Sequence, residues 1–279
     1  MKHRGGGYKW RMAILQKTLP YTPWDDPRMA RLPGIQPLDP ADWLIVDEAY
    51  AAQMAERERL FAQMPGKVHA LDPGARPAAR ELLDTVLTHL AARGDFEVGE
   101  DAVTRPDGVR VTLDRDAPLL TAGRLVQEDL CLMERRGEGD EHILTGAVLC
   151  FPSSWTLAEK FMRPLIRIHR PVEPYDADVA RRVQRLFDAI VPGRALWRAN
   201  AHLYEDPALF QPRPEAAPRS KVPASAPYMR SERQCLMPLV QTQAVVFSIH
   251  TYMLRVADLS EAQKAALADH PIADQDDQR

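Results

Sequence analysis

A histidine standing alone at the end of an apolar helix is the first feature in this sequence able to do chemistry. The stretch WTLAEKFMRPLIRIH ends on His169, with Phe161, Met162, Leu165 and Ile166 on the turns beneath it. Pro164 predicts a kink in that helix and Pro171 a stop. One neutral imidazole over an oily slot is what a single haem iron needs from a protein. A helix-terminal histidine bonded locally fits the same residues. The other histidines, at positions 3, 69, 89, 142, 202, 250 and 270, include no pair at i, i+4, so no helical metal site is spelled out.

A second set of reactive groups falls inside strand-like runs. Around Arg230-Ser231-Glu232-Arg233-Gln234, a period of two places Arg230, Glu232 and Gln234 on one face and Ser231, Arg233 and Cys235 on the other. Arg198 and Asn200 share a face in the same way, and so do His250 and Tyr252, with Thr251 opposite. Charges on a strand commonly mark a solvated face; the functional reading is a polar cluster held over a ligand by a rigid sheet. Gln127, Glu128 and Asp129 put further acids at a strand end. Such an end can hold a cation or an amine, and more commonly it is a solvated edge.

The elements that must position these groups change character along the chain. Residues 1–19 read as a flexible lead-in, with Gly5-Gly6-Gly7 as a spacer. Residues 20–41 are extended and proline-rich. Asp39 before Pro40 predicts a helix start, and Ala41–Met64 carries Trp43, Val46, Tyr50, Met54 and Leu60 at helical spacing. Pro77–Ala92 is a second helix. After residue 95 the period shortens. Leu125–Glu134 and His142–Phe151 read as a hairpin, Trp155–His169 and Asp176–Ile190 as helices, and Leu196–Tyr204, Tyr228–Leu236 and Ala244–Leu254 as three more strands. A loop over residues 211–227, a short helix at Glu261–Leu267 and an acidic tail complete the chain. Five strands with a helical insertion predict an α+β fold. The expected divisions are 1–19, a helical extension over 20–94, a core over 95–258, and 259–279.

Composition narrows the functional classes. The chain has 279 residues, 45% hydrophobic and 27% charged, with a net charge of −3. That balance argues against a nucleic-acid or membrane-surface binder. No apolar run reaches the length of a membrane span. Three scattered cysteines, with no CxxC, exclude a zinc ribbon or an iron–sulfur cluster held by this chain alone and predict a reducing, cytoplasmic setting. There is no GxGxxG after a strand and no Walker loop.

Several phrases, in order, carry a resemblance: PLDPADWLIVDEAYAAQMAER (37–57), GRLVQEDLCLMER (123–135), CFPSSWTLAEKFMRPLIRIHRPVEPY (150–175), WRANAHLYEDPALF (197–210), YMRSERQCLMPL (228–239) and AVVFSIHTYM (244–253). Together they resemble the alpha subunit of haem-dependent oxidative N-demethylase. The resemblance implies a PAS-like core with a five-stranded antiparallel sheet, flanking helices and an N-terminal helical extension. It implies haem b as cofactor, with His169 as the iron ligand and Phe161, Met162 and Leu165 beside it. It also implies an oxygen-dependent removal of a methyl group from dimethylamine or a similar amine, as formaldehyde. Electrons would come from NADPH through a partner reductase carrying FMN and a [2Fe–2S] cluster, with tetrahydrofolate on a further subunit. Arg198, Asn200, Glu232 and Arg233 match the family's polar strand phrases and become the candidates on the substrate side. His250 and Gln243 depart from the pattern, where the resemblance leads to arginine and glycine. The competing reading is a haem-binding gas sensor of PAS-like fold without catalytic activity.

Overall fold

The computed structural model describes residues 13–29, 34–136, 141–169, 187, 190–191, 193–217 and 221–272. Its elements, in chain order, begin with β1 (Gln36–Pro37), α1 (Tyr50–Gln63), α2 (Pro65–Val68), β2 (His69–Leu71) and α3 (Arg76–Ala91). A small three-stranded sheet follows, β3 (Glu97–Val98), β4 (Ala102–Thr104) and β5 (Arg110–Thr112), then α4 (Pro118–Gly123). The main sheet resumes with β6 (Asp129–Arg135) and β7 (His142–Val148), leading into α5 (Leu157–Lys160) and α6 (Leu165–His169). The chain closes with β8 (Leu196–Tyr204), β9 (Tyr228–Pro238), β10 (Val245–Arg255) and α7 (Glu261–Asp269).

The fold is α+β, but the sheet has seven strands rather than five, in the order β1-β8-β9-β10-β6-β7-β2, every neighbouring pair antiparallel. Both additional strands come from the N-terminal third, which is therefore not purely helical. They are two and three residues long, too short to write a period of two into the sequence. Pro37 in β1 is tolerated because that strand is an edge. The lead-in also ends before residue 19: buried Gln16 donates to Thr251 O at 3.1 Å and accepts from Met253 N at 2.8 Å. Residues 1–12 and the acidic tail beyond 272 lie outside the described residues, as does the helix expected at Asp176–Ile190 apart from Phe187 and Ile190.

Two helix predictions are corrected. Asp39 does cap a helical turn, accepting from Ala41 N at 3.0 Å, but that turn stops at Asp42 and α1 starts only at Tyr50. Between them the chain is stitched to the sheet instead: Trp43 Nε1 donates to Ser248 Oγ at 2.9 Å, and Ile45 N and Asp47 N donate to Glu128 and Gln127. The helix expected over 155–169 is two short helices. Met162 takes a left-handed φ of 58°, its N–H bonds Leu144 O at 2.8 Å, and Arg163 O accepts from Leu144 N at 3.1 Å. Pro164 thus marks a return to β7, not a bend in a continuous helix.

The sheet separates two environments. On one face Leu236, Val245, Cys131 and Met133 pack with Leu157 of α5 and Leu165 of α6. On the other, Cys235, Val246 and Leu132 join Trp43, Leu60, Leu82 and Leu83 in the largest core. We call these the α5–α6 face and the N-terminal face. Direct contact between elements is tight enough to require glycine in places: a Cβ on Gly123, at the end of α4, would meet Val148 Cγ1 at 2.7 Å.

Candidate functional site

The registers of β8, β9 and β10 run without a bulge, so alternation can be followed across all three strands. Asn200 lies opposite Glu232, Arg198 opposite Gln234, and Thr251 opposite Glu232 on the other side. Directly opposed residues share a face. Leu236 follows the same alternation, so Arg198, Asn200, Arg230, Glu232, Gln234 and Thr251 all lie on the α5–α6 face. These charges are not a solvated face: Arg230 is 0% and Glu232 8% exposed.

Glu232 is the centre of this group. Its Oε1 accepts from Arg230 Nη2 at 3.1 Å, its Oε2 from Gln234 Nε2 at 3.1 Å, and its backbone N–H donates to Asn200 Oδ1 at 3.0 Å. Arg230 is itself pinned, donating to Leu209 O at 3.0 Å and to Phe151 O. Two buried polar atoms on either side of Glu232 have no partner: Arg198 Nε and Thr251 Oγ1. Buried polar atoms are nearly always satisfied, so a pair of orphans flanking one carboxylate marks a place where a ligand can bond. Burial depresses the Arg198 pKa, against the pull of the Glu232 charge.

Arg233 does not belong to this group. It lies on the N-terminal face, donates to Asp42 O at 2.8 Å and Trp43 O at 3.1 Å, and stacks over Trp197 at 5.1 Å. Its work is to hold the N-terminal segment down. Of the other predicted residues, Leu165 is buried and Phe161 packs against the α5–α6 cluster. Met162 is 39% exposed, as the left-handed turn requires. His169 is the last residue of α6. The carbonyl before it, Ile168 O, accepts from Lys160 Nζ, which also bonds Glu215 at 3.0 Å, and Glu215 pairs with Arg167 at 2.9 Å. The turn carrying the histidine is thereby fixed to α5 and to the loop between β8 and β9.

The acidic strand end is likewise internal. Gln127, Glu128 and Asp129 are buried, and the cations they hold are the protein's own. Asp129 pairs with Arg57 at 2.7 Å. Glu128 and Asp47 each accept from one ring nitrogen of His250 at 3.1 Å. Burial alone would lower the His250 pKa, but bonds to two carboxylates raise it to about 9. Asp47, despite its burial, is lowered to about 2 by His250, Gln127 and Gln16. His250 therefore stands on the N-terminal face as a buried imidazolium, supplying a cation where the resemblance leads to arginine. Gln243 sits in the β9–β10 turn at a left-handed φ of 59°, which glycine adopts without strain.

The His250 cluster predicts a pH dependence. A histidine raised from 6.5 to about 9 contributes on the order of 3 kcal/mol to stability. That contribution is complete below about pH 6.5 and is lost as the pH climbs through 9. The Asp47 contribution is present above about pH 4 and is lost as the pH falls through 2. Urea unfolding of wild type and His250→Gln, compared between pH 6 and 10, should show the difference between them shrinking with rising pH. A constant difference would mean that His250 is not charged.

Alternation within each strand put Arg198 with Asn200 and Glu232 with Arg230 and Gln234; that the two sets share a face, with Thr251 opposite Glu232 and Arg233 on the other side, depends on strand pairing. Arg230 and Gln234 were legible from alternation, but their role as partners of Glu232 was not. A family model described as haem-dependent oxidative N-demethylase, alpha subunit-like, matches residues 34–273.

Proposed function

The chain belongs to the haem-dependent oxidative N-demethylase, alpha subunit-like family, and we propose that it is the haem-bearing subunit of a monooxygenase acting on a small secondary amine such as dimethylamine. The overall reaction consumes the amine, O2, NADPH and a proton, and yields the primary amine, formaldehyde, NADP+ and water. Electrons reach this subunit through a partner reductase with FMN and a [2Fe–2S] cluster, and tetrahydrofolate binds a further subunit. The central strand order β7-β6-β10-β9-β8, with helices between β7 and β8, supports a PAS-like core over 95–258, on which residues 20–94 are laid. All three cysteines are buried free thiols, which supports a cytoplasmic setting. Among the described residues no helix is long and apolar enough to cross a membrane.

Haem b fits the residues of the α5–α6 face. The face offers an apolar cluster that includes Leu165 and Phe161, a helix ending in a histidine, and an orphaned guanidinium nitrogen. His169 would hold the iron and Leu165 and Phe161 the porphyrin edge; the exposure of Met162 takes it out of that set. When bound, haem supplies the oxygen activation that no side chain can. The chain's own residues bind the amine: Glu232 offers a carboxylate, Asn200 and Gln234 amide oxygens, and Thr251 a hydroxyl. Glu232 and Thr251 are buried, so their bonds to the amine are stronger than they would be in solvent.

The observation that carries this reading is Glu232 held between two orphaned polar atoms on the face that α5 and α6 cover. The experiment is reconstitution of the purified protein with haem, followed by addition of a reductase, NADPH and dimethylamine, with formaldehyde and methylamine measured. Absence of a Soret band overturns the haem reading. A Soret band with no amine-dependent product favours the gas sensor. Glu232→Gln should weaken dimethylamine binding about tenfold, read as the amine-induced change in the haem spectrum. Unchanged affinity would remove Glu232 from the site.

A further inference from the structure

Among the described residues of β8 and β9 on the α5–α6 face, the charges do not balance. Two guanidiniums, Arg198 and Arg230, accompany one carboxylate, Glu232. Both oxygens of Glu232 are already engaged, Oε1 by Arg230 and Oε2 by Gln234. Among the described residues Arg198 has no hydrogen-bond or ion-pair partner, and its Nε is sealed from solvent. A guanidinium Nε sealed from solvent with no acceptor is costly, and the fork of N–H donors matches a carboxylate in both shape and charge.

We propose that Arg198 is the anchor for a carboxylate brought by the ligand of this face. The assignment rests on the reading under Proposed function. Two sources share this chemistry: a propionate of the haem, or the carboxylate of an N-methylated amino acid serving as substrate. In the second case the amino nitrogen would lie toward Glu232, diagonal to Arg198 on β9, and Thr251, opposite Glu232 on β10. The depressed pKa of Arg198 agrees with a cation awaiting its partner.

The test compares wild type, Arg198→Gln and Arg198→Lys. Each is titrated with haem b and with haem b dimethyl ester, whose propionates carry no charge. The loaded proteins are then titrated with N-methylglycine and with dimethylamine, followed by the Soret band. If the carboxylate is a propionate, Arg198→Gln binds haem b about tenfold or more weakly, and wild type but not the variant discriminates against the ester. If it belongs to the substrate, haem binding is unchanged, and the variant loses its response to N-methylglycine by about tenfold or more while keeping its response to dimethylamine. Arg198→Lys, which keeps the charge without the fork, falls between in either case. The melting temperature of the haem-free Arg198→Gln protein should hold or rise, because the variant removes a sealed donor that has no acceptor. A variant that matches wild type on all four ligands overturns the assignment, as does a fall in that melting temperature, which would give the guanidinium to the fold. A wild-type protein without a Soret band overturns the haem reading itself and this assignment with it.

Discussion

His169→Ala is expected to abolish haem retention, or to leave an altered haem spectrum that added imidazole restores. A marked loss of haem affinity is expected, since the histidine is the protein's bond to the iron in this reading. The nearby rivals for that bond are occupied or misplaced. Lys160 is buried and spends its ammonium on Ile168 O and Glu215. Met162 is turned outward by its left-handed backbone. Burial raises the Cys150 thiol to about 12, against the pull of Arg57, so it is not the ready thiolate that iron would take. His250 is on the other face, held as an imidazolium by Asp47 and Glu128, and a protonated ring has no lone pair for a metal. A His169→Ala protein that binds haem with the wild-type Soret position would place the ligand elsewhere.

The sequence made the frame legible where periodicity ran long. Strands β8, β9 and β10 fall almost where alternation put them, because nine to eleven residues give several full periods. Helix α3 was equally clear. What escaped was set by distant partners. Strands β1 and β2 exist only because the sheet offers edges to pair with. Residues 43–48 carry a helical pattern, yet bonds to Ser248, Gln127 and Glu128 keep them out of a helix. The polar strand residues look like a surface. Arg230 and Arg233 are buried because each donates to carbonyls far away in sequence, Arg230 to Leu209 and Phe151 and Arg233 to Asp42 and Trp43. Alternation placed Glu232 and Arg233 on opposite faces, and only the covering segments show that Arg233 anchors the N-terminal segment while Glu232 lies under α5 and α6.

The second large effect should come from the ion pair beneath that anchor network. Arg57 and Asp129 meet at 2.7 Å with both side chains 0% exposed. Asp129 also accepts from Cys150 N at 2.7 Å and Phe151 N at 2.8 Å, and Arg57 donates to Gly123 O at 3.0 Å. Removing one partner leaves a buried charge uncompensated, which costs about 3–5 kcal/mol. Asp129→Ala should therefore lower the melting temperature by roughly 6–20 °C. The double variant Arg57→Met, Asp129→Leu should recover much of that, since the pair as a whole is worth far less than either partner costs alone. A single variant within about 1 kcal/mol of wild type would show that the pair is not the strut described here. The consequence reaches the site through one chain of bonds. Asp129 fixes the backbone of Phe151, whose carbonyl holds Arg230, and Arg230 holds Glu232. Loss of Asp129 should thus weaken amine binding even in the folded fraction, whereas Glu134→Gln, at the far end of the same strand, should leave it unchanged.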